Sequence, residues 1–365
     1  MPLVVTSLPG LKAIYGESGT SLIQAKLKQW GSALPNVTVQ TLGATATTSP
    51  NAPAPLTLYS ELKAFVGQNR YLQDRVQEGI ILVGDQRAFP SFTVANPVVD
   101  RAIDPDSAIL TDNPFGQFNW SQPGQCLLPD FAVGRILPGV EQSAADFCAL
   151  LDCVLALRQR EIRRTGYVEV TSRQWQYSSS SVMSALAPST RVIVSPDGRV
   201  NRYNASALDC KFLYCNLHGF LDDSAWSGYD NGLSWPVPAV TPDAFLPQFV
   251  SGTVAFTEAC YGLATSGKRT SSSNALSLLT AGAAAVIGST GLAFGTAQVK
   301  PQNLIDADVL ARGFFNNALR GGSTIGQCLL AARQTLRQTA PISDIYLAKT
   351  LLEFQLLGDP SYVLS

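Results

Sequence analysis

The sequence predicts an α/β fold in which mainly parallel sheets are flanked by helices. Short apolar runs of strand length alternate with amphipathic stretches of helix length along most of the chain, which is typical of layered α/β domains. Charged residues make up only 15% of the chain, against about 25% in average domains, so a large buried core is expected. Because 365 residues exceed one typical domain, we expect two subdomains.

Seven apolar runs have the length of buried strands. They are GIILVGD (79–85), FAVGRI (131–136), YVEVTS (167–172), RVIVS (191–195), CKFLYCNL (210–217), GTVAFTEA (252–259) and AAAVIGST (283–290). Amphipathic spacing predicts helices over 141–164, 243–250, 272–282, 302–320 and 324–338. Between the first two strands the chain is rich in Pro, Asp and Asn, which predicts a long loop, and loops of that length are usually functional or mobile.

The helix predicted over 141–164 carries acidic residues first and basic residues last, as the helix dipole favours. We expect this helix to link an N-terminal subdomain, residues 1–140, to a C-terminal subdomain, residues 141–365. The C-terminal subdomain then contains most of the predicted strands.

Composition excludes several classes of function. The 26 basic and 27 acidic residues give a net charge of −1, so no electrostatic argument favours nucleic acid or an anionic membrane as a partner. No apolar run reaches the roughly 18–20 residues of a membrane span, and the first residues lack the pattern of a signal peptide. Seven cysteines without a Cys-x-x-Cys motif predict a reduced, cytoplasmic chain, and a single histidine argues against a zinc site or another metal cofactor.

One segment comes close to a phosphate-binding loop. GLATSGKRT (262–270) nearly matches Gly-x4-Gly-Lys-[Ser/Thr], but Arg269 stands where the magnesium-binding hydroxyl is required. Nucleotide binding is therefore not expected.

Two predicted strands end in residues with the chemistry of a nucleophilic site. FLYCNL is followed by His218, the only histidine, and Gly219, while TVAFTEA is followed by Cys260. If neighbouring parallel strands carry them, both face one crevice at the carboxyl edge of the sheet. An imidazole beside a thiol can hold or shuttle its proton, and the backbone N–H groups of Gly219 and Cys260 can bind an oxyanion. Alternatively, Cys260 is a small buried hydrophobe and His218 a structural side chain.

From residue 79 to the C-terminus the motifs resemble, in order, those of the caspase-like cysteine peptidases of the gingipain type. The similar segments are GIILVGDQRAFPSF, AILTDNPFG, PDFAVGRI, LHGFLDDSAW, VAFTEACYG, AAAVIGSTGLAF and FQLLGDPSYVLS. The first 78 residues carry none of these motifs. The resemblance implies two side-by-side α/β subdomains, a Cys260–His218 dyad, an oxyanion amide at Gly219 and hydrolysis of peptide bonds without a cofactor.

The resemblance also indicates how the cleaved bond is chosen. Asp112 matches the aspartate at the pocket floor of the arginine-cutting relative, and Glu258 stands where other relatives line the same pocket. Either carboxylate favours cleavage after Arg, with Lys second, through a charge-assisted pair. If Asp112 and Glu258 form one mixed pocket, the site resembles that of the legumain-like relatives, which cut after Asn. Alternatively, Asp112 has only a structural role in a turn. Phe294 stands near the place of the relative's pocket-wall Trp.

The loop ATSGKRTSSSN (264–274) follows Cys260 and displays Lys268 and Arg269. An enzyme that cuts after basic residues makes this loop a candidate for self-cleavage, although a solvated linker has the same composition. The expected partners are protein or peptide substrates and a regulatory protein. A competing function is a caspase-like scaffold or switch whose proteolysis is weak or depends on a partner.

Overall fold

A mostly parallel sheet forms the centre of the computed structural model, which describes residues 2–34, 37–43, 54–68, 78–118, 126–159, 164–186, 190–230, 232–296 and 303–364. The strands are β1 Leu3–Ser7, β2 Thr38–Leu42, β3 Ile80–Val83, β4 Phe92–Ala95, β5 Ala108–Thr111, β6 Val133–Ile136, β7 Tyr167–Ser172, β8 Thr190–Ser195, β9 Phe212–Asn216, β10 Trp226–Gly228, β11 Val237–Val240, β12 Val254–Thr257, β13 Ala285–Ser289 and β14 Phe354–Gly358. The helices are α1 Leu8–Ala33, α2 Pro55–Gln68, α3 Ala144–Gln159, α4 Gln176–Val182, α5 Pro247–Val250, α6 Asn274–Thr280, α7 Asp306–Ala318, α8 Ile325–Arg337 and α9 Ile345–Glu353.

Within these residues, ten strands pair in the order β2-β1-β3-β6-β14-β13-β12-β9-β7-β8. All neighbours in this sheet run parallel except β13 and β14. Central strands such as β9, β12 and β13 are buried along their whole length. A parallel strand covered on both faces needs apolar side chains at every position, which explains why the sequence shows continuous apolar runs instead of alternation.

Helices cover both faces of the sheet. On one face α1, α3 and α6 contribute Trp30, Phe147 and Leu276 to a core cluster. On the other face α2 covers the N-terminal strands, with Leu62 buried, and α7, α8 and α9 cover the C-terminal strands, with Phe314 buried. The predicted α/β architecture of helices flanking a mainly parallel sheet is therefore confirmed.

The N-terminal strands β2, β1, β3 and β6 form one side of the sheet, and the later strands form the other. The two sides adjoin at β6 and β14, which pair through Leu357 and Arg135. This arrangement agrees with two side-by-side halves, and the boundary at residue 140 stays a prediction.

The predicted strands lie within two residues of their expected bounds at each end, whereas other elements differ. β1, α1 and β2 were not predicted, and the expected long loop after β3 contains the hairpin of β4 and β5. The helix predicted over 141–164 is α3, and residues 160–163 lie outside the described part. Over 243–250 two short turns replace the expected helix, a 3-10 turn Pro242–Ala244 and the single α-helical turn α5, because each begins at its own proline. None of the described helices is both long and apolar enough to cross a membrane.

Candidate active site

His218 and Cys260 follow two neighbouring parallel strands. β9 and β12 are paired in register, with Thr257 beside Cys215, so both strands end at the same edge of the sheet. His218 comes two residues after β9, and Cys260 comes three residues after β12. Both side chains line one cavity of about 270 Å³. The structure thus brings together the two residues that the strand-end pattern singled out.

Gly219 lies against the backbone of Cys260. A Cβ atom at position 219 would lie 1.9 Å from the carbonyl oxygen of Cys260, a distance that no side chain tolerates. Glycine is therefore required here because two segments of backbone approach closely. This contact packs the loop after β9, which carries His218, directly against the loop after β12, which carries Cys260.

The turn that carries Cys260 has a constrained backbone. Tyr261 adopts a φ of 56°, a left-handed conformation that is uncommon for a bulky residue, and its N–H donates to the carbonyl of Gly291 at 2.7 Å. The Cys260 thiol donates to the carbonyl of Ala293 at 3.7 Å. Burial raises the pKa of Cys260 to about 11, so the side chain is a thiol near neutral pH.

The imidazole of His218 is held by the segment that follows β7. The side-chain amide of Gln174 donates to Nε2 of His218 at 2.8 Å, and the Trp175 ring lies with its centroid 4.4 Å from the imidazole. Two backbone hydrogen bonds to Ser227, of 2.7 and 2.8 Å, fix the main chain of His218. Burial lowers the pKa of His218 to about 4. The imidazole is therefore neutral, with Nε2 accepting from Gln174 and the proton on Nδ1.

The resting pair consists of a neutral thiol and a neutral imidazole. Among the hydrogen bonds of the described residues there is none between Cys260 and His218. This state differs from a preformed thiolate–imidazolium pair, in which each charge stabilises the other. The thiol must therefore lose its proton during the reaction or after a conformational change.

Two buried carboxyl groups line the same cavity. Glu258 accepts a hydrogen bond from the Tyr214 hydroxyl at 2.6 Å, and Asp308, at the start of α7, accepts one from the Thr296 N–H at 2.6 Å. Gly295 lies between them, since a Cβ there would be 3.0 Å from Asp308 Oδ2 and 3.4 Å from Glu258 Oε2. Burial, and then repulsion by Asp308, raise the pKa of Glu258 well above its usual range.

Asp308 has one carboxyl oxygen with little hydrogen bonding. Its pKa is raised, chiefly by burial, and the Ser178 side chain lowers it. The Oδ1 atom is buried, and no hydrogen bond of full geometric quality reaches it from the described residues. A donor from a bound molecule would satisfy this oxygen.

Asp112 lies elsewhere. Its two oxygens accept from Arg135, Nε at 2.8 Å and Nη2 at 2.6 Å, and Oδ1 also accepts from the Ser91 hydroxyl. Asp112 does not line the cavity of Cys260. Its carboxylate is held in a buried ion pair of the N-terminal half, so the role of Asp112 as pocket floor stays a prediction that this geometry does not support.

Phe294 forms part of the cavity wall, as expected from its position after β13. Its ring lies 4.8 Å from that of Tyr346, and the Lys349 ammonium lies 5.1 Å from its centroid.

Lys268 and Arg269 lie in a folded turn. The carbonyl of Lys268 accepts from the Val140 N–H at 3.0 Å, and that of Arg269 accepts from the Ser272 N–H at 3.0 Å. Self-cleavage at either residue stays a prediction, and it requires local unfolding of this turn.

Sequence reasoning missed Gln174, Trp175 and Asp308. Gln174 and Trp175 directly follow the predicted strand over 167–172, so the rule that located His218 and Cys260 at strand ends also covers them. Asp308 is distant in sequence from every strand end of the site. Nothing in the local sequence indicates that the start of α7 reaches this cavity.

Comparisons with known proteins agree with this geometry. Residues 218–365 match the model of Peptidase family C25. The whole chain is similar to the structure of the Arg specific cysteine proteinase gingipain R (RgpB), at 14% identity with 78% of that chain covered and a TM-score of 0.63. It is likewise similar to a complex of Porphyromonas gingivalis RgpB pro- and mature domains, at 15% identity with 80% covered and a TM-score of 0.64. No curated protein sequence matches the chain significantly.

Residues 218–365 therefore match a cysteine peptidase family, and the whole chain shares the fold of the gingipain structures. The predicted resemblance to the gingipain type is confirmed, over residues 218–365 by the family model and over the whole chain by the fold.

Proposed function

We propose that the chain is an endopeptidase that uses Cys260 as its nucleophile and His218 as its general acid and base, and that it cleaves protein substrates after arginine, with lysine second. The observation that carries the proposal is the cavity at the paired ends of β9 and β12, which is lined by His218, Cys260 and Glu258 together. The match of residues 218–365 to Peptidase family C25 supports the same chemistry.

The neutral resting imidazole acts first as a base. Nε2 is its lone-pair nitrogen, so this atom takes the thiol proton once it is released from Gln174. As the Sγ–C bond forms, the proton passes from the thiol to the imidazole, and as the C–N bond breaks, the imidazolium gives a proton to the leaving amine and becomes neutral again. Water then adds to the thioester carbonyl and gives its proton to the imidazole, and the thiol leaves with that proton as the acid product is released. The N–H groups of Gly219 and Cys260 are our candidates for stabilising the oxyanion.

The acidic cavity supports a basic residue before the cut. Burial raises the pKa of both Glu258 and Asp308, and repulsion by Asp308 raises that of Glu258 further. A guanidinium brings a positive charge and five N–H donors in a plane, so it compensates both carboxylates and supplies a donor to Asp308 Oδ1. A lysine ammonium brings the charge without the planar fork, which places it second.

A neutral amide side chain is the alternative occupant of the same cavity. Protonated carboxyl groups can donate as well as accept, so Glu258 and Asp308 in their raised-pKa state can also bind an asparagine. A matched set of fluorogenic peptides that differ only in Arg, Lys, Asn or Asp before the cut separates the two. Faster cleavage after Asn or Asp than after Arg contradicts the basic pocket.

A scaffold or partner-dependent switch is the second candidate function. The neutral thiol and imidazole favour it, because a resting site without a thiolate has low intrinsic reactivity. One similar gingipain structure is described as a complex of pro- and mature domains, and a comparable regulatory protein is our proposal for this chain.

All seven cysteines lie in the described part and are free, which supports a reducing compartment such as the cytoplasm.

The deciding experiment compares wild type with Cys260→Ala on a peptide library read by mass spectrometry. We expect cleavage after Arg by wild type and none by Cys260→Ala. Cys153→Ala is the matched control, because Cys153 is an exposed cysteine on α3 that does not line the cavity. Equal cleavage by wild type and Cys260→Ala contradicts the proposed nucleophile, and cleavage only after a partner protein is added favours the switch.

A further inference from the structure

Asp106 connects the two segments that border Cys260. It belongs to the loop between β4 and β5, in the N-terminal half of the chain. Its Oδ1 accepts from the Tyr261 hydroxyl at 3.0 Å, and its Oδ2 accepts from the Leu292 N–H at 3.0 Å. One carboxylate therefore holds the residue after the thiol and, at the same time, a residue of the cavity wall.

A buried ion pair supports this arrangement from below. Lys349 of α9 is 0% exposed, and its ammonium donates to Asp104 Oδ2 and, at 2.5 Å, to the carbonyl of Leu292. The peptide groups of Leu292 are thus held on both sides, the N–H by Asp106 and the carbonyl by Lys349. A fully buried lysine is rare and needs such partners.

The loop that presents Asp106 is itself fixed by hydrogen bonds. Oδ1 of Asp104 accepts from the Asp106 N–H at 3.0 Å, and the Asn96 amide donates both to Asp104 Oδ2 and to the Asp106 carbonyl, each at 2.8 Å. Arg101 also donates to the Asp106 carbonyl. The carboxylate is therefore presented by a rigid loop.

The segments held by Asp106 are those on which chemistry at the cavity depends. Tyr261 has the left-handed backbone that directs Cys260 into the cavity, and Leu292 precedes Ala293, whose carbonyl accepts the hydrogen bond from the thiol. A Cβ at Gly291 would be in tight contact with two carboxylates, 3.0 Å from Asp106 Oδ2 and 3.2 Å from Glu353 Oε2. A shift of Asp106 would displace the thiol relative to the wall.

We propose that Asp106, supported by the Lys349–Asp104 ion pair, is a positioning residue that sets the separation between the Cys260 turn and the wall of the substrate cavity. The proposal rests on the proposed role of Cys260 as nucleophile. It gives the N-terminal half a part in the reaction through the Asp106 loop, since Asp112 does not reach the cavity.

Tyr261→Phe is the sharpest test, because it removes only the hydroxyl that Asp106 holds. We expect kcat to fall roughly tenfold, since small misplacements of reacting groups are costly, with KM within about twofold because Leu292 stays held. Tyr59→Phe is the matched control: its hydroxyl donates to the Gln117 carbonyl at 2.7 Å, in the N-terminal core. Equal kcat values for Tyr261→Phe and Tyr59→Phe overturn the proposal.

Asp106→Asn and the double variant with Tyr261→Phe complete the test. We expect Asp106→Asn to lower kcat and raise KM, and Tyr261→Phe to cause little further loss in that background, because the two residues act through one bond. Full additivity of the two losses overturns the proposal.

Amide hydrogen exchange separates this proposal from the proposed function. In Asp106→Asn we expect faster exchange in 258–263 and 290–295 together, which does not depend on activity. Unchanged exchange there overturns the positioning role even in an active peptidase. If wild type cleaves no peptide and its Cys260 reacts with no electrophile, the proposed function is contradicted. Faster exchange in Asp106→Asn would still support the positioning role in that case.

Discussion

The side-chain amide of Gln174 donates a hydrogen bond to Nε2 of His218 at 2.8 Å. An uncharged donor at this nitrogen stabilises the neutral imidazole, and burial acts in the same direction, lowering the pKa of His218 to about 4. The residue that holds His218 therefore also fixes its tautomer, with the proton on Nδ1. This relationship leads to the first prediction.

Gln174→Glu should raise the pKa of His218, because a carboxylate at this position favours the imidazolium. For wild type we expect kcat/KM to fall on the acid side with a midpoint near pH 4, where the neutral imidazole is lost. For the variant we expect this midpoint to lie at least one pH unit higher. The pH dependence of kcat/KM measures this shift. Gln334→Glu, at an exposed position of α8, adds the same charge away from the site and should leave the profile unchanged. Equal profiles for wild type and Gln174→Glu would contradict the assignment.

Alkylation of Cys260 by a small uncharged reagent should accelerate with pH. Because the thiol pKa is raised to about 11, the thiolate fraction grows about tenfold per pH unit throughout the neutral range. The rate constant for iodoacetamide, resolved by peptide mapping, checks this prediction. A rate that is flat between pH 6 and 8 would instead reveal a thiolate–imidazolium pair at rest.

Asp308→Asn should weaken cleavage after Arg more than cleavage after a neutral residue. Losing a charged hydrogen bond to the guanidinium costs about 1.5–3 kcal/mol, or roughly 10- to 100-fold in kcat/KM. The ratio of kcat/KM for matched Arg and Asn peptides is the measurement. A ratio unchanged from wild type excludes Asp308 from the pocket.

Asp112→Asn should lower stability and leave selectivity unchanged. The substitution leaves Arg135 in a buried site without its charged partner, at a cost of about 3–5 kcal/mol. Urea unfolding gives the free energy of unfolding, and the Arg, Lys and Asn peptides give the selectivity. If Asp112→Asn has wild-type stability and loses kcat/KM only for Arg peptides, Asp112 is a carboxylate of the pocket.

Gly219→Ala should abolish activity while the core stays folded. The added Cβ cannot remain 1.9 Å from the Cys260 carbonyl, so the two strand-end loops must separate, and such a displacement costs about 100-fold or more in rate. Gly232→Ala is the control, because no atom lies within 4 Å of a Cβ at that position. Peptidase rates and thermal unfolding of the two variants check the prediction. Near-normal activity of Gly219→Ala would show that the close approach is not needed.

The sequence predicts the elements that carry His218 and Cys260 because central parallel strands are buried on both faces and read as unbroken apolar runs. β2 lacks this signal because, at the edge of the sheet, it is mostly half-buried, whereas β1 is buried along its whole length and its apolar run was missed. The strand-end rule finds His218 and Cys260, the proposed dyad, for the same physical reason, since parallel strands end at one edge.

The composition of the pocket could not be predicted in this way. Whether Asp112 is free or paired depends on Arg135, which lies 23 residues further along and meets Asp112 only through the packing of β6 beside β3. Asp308 enters the cavity because α7 packs with its first turn against Gly295 and Thr296. Such contacts follow from the tertiary arrangement and leave no local pattern in the sequence.

The most direct measurement of the central claim is covalent trapping by a peptide that ends in arginine and carries a thiol-reactive ketone. Intact mass and peptide mapping of the treated protein report the number and place of the adducts. We predict one adduct, on Cys260, formed faster than with the matched asparagine reagent and strongly slowed in His218→Ala. Labelling spread over several of the seven cysteines, or no adduct on folded protein, would contradict the account.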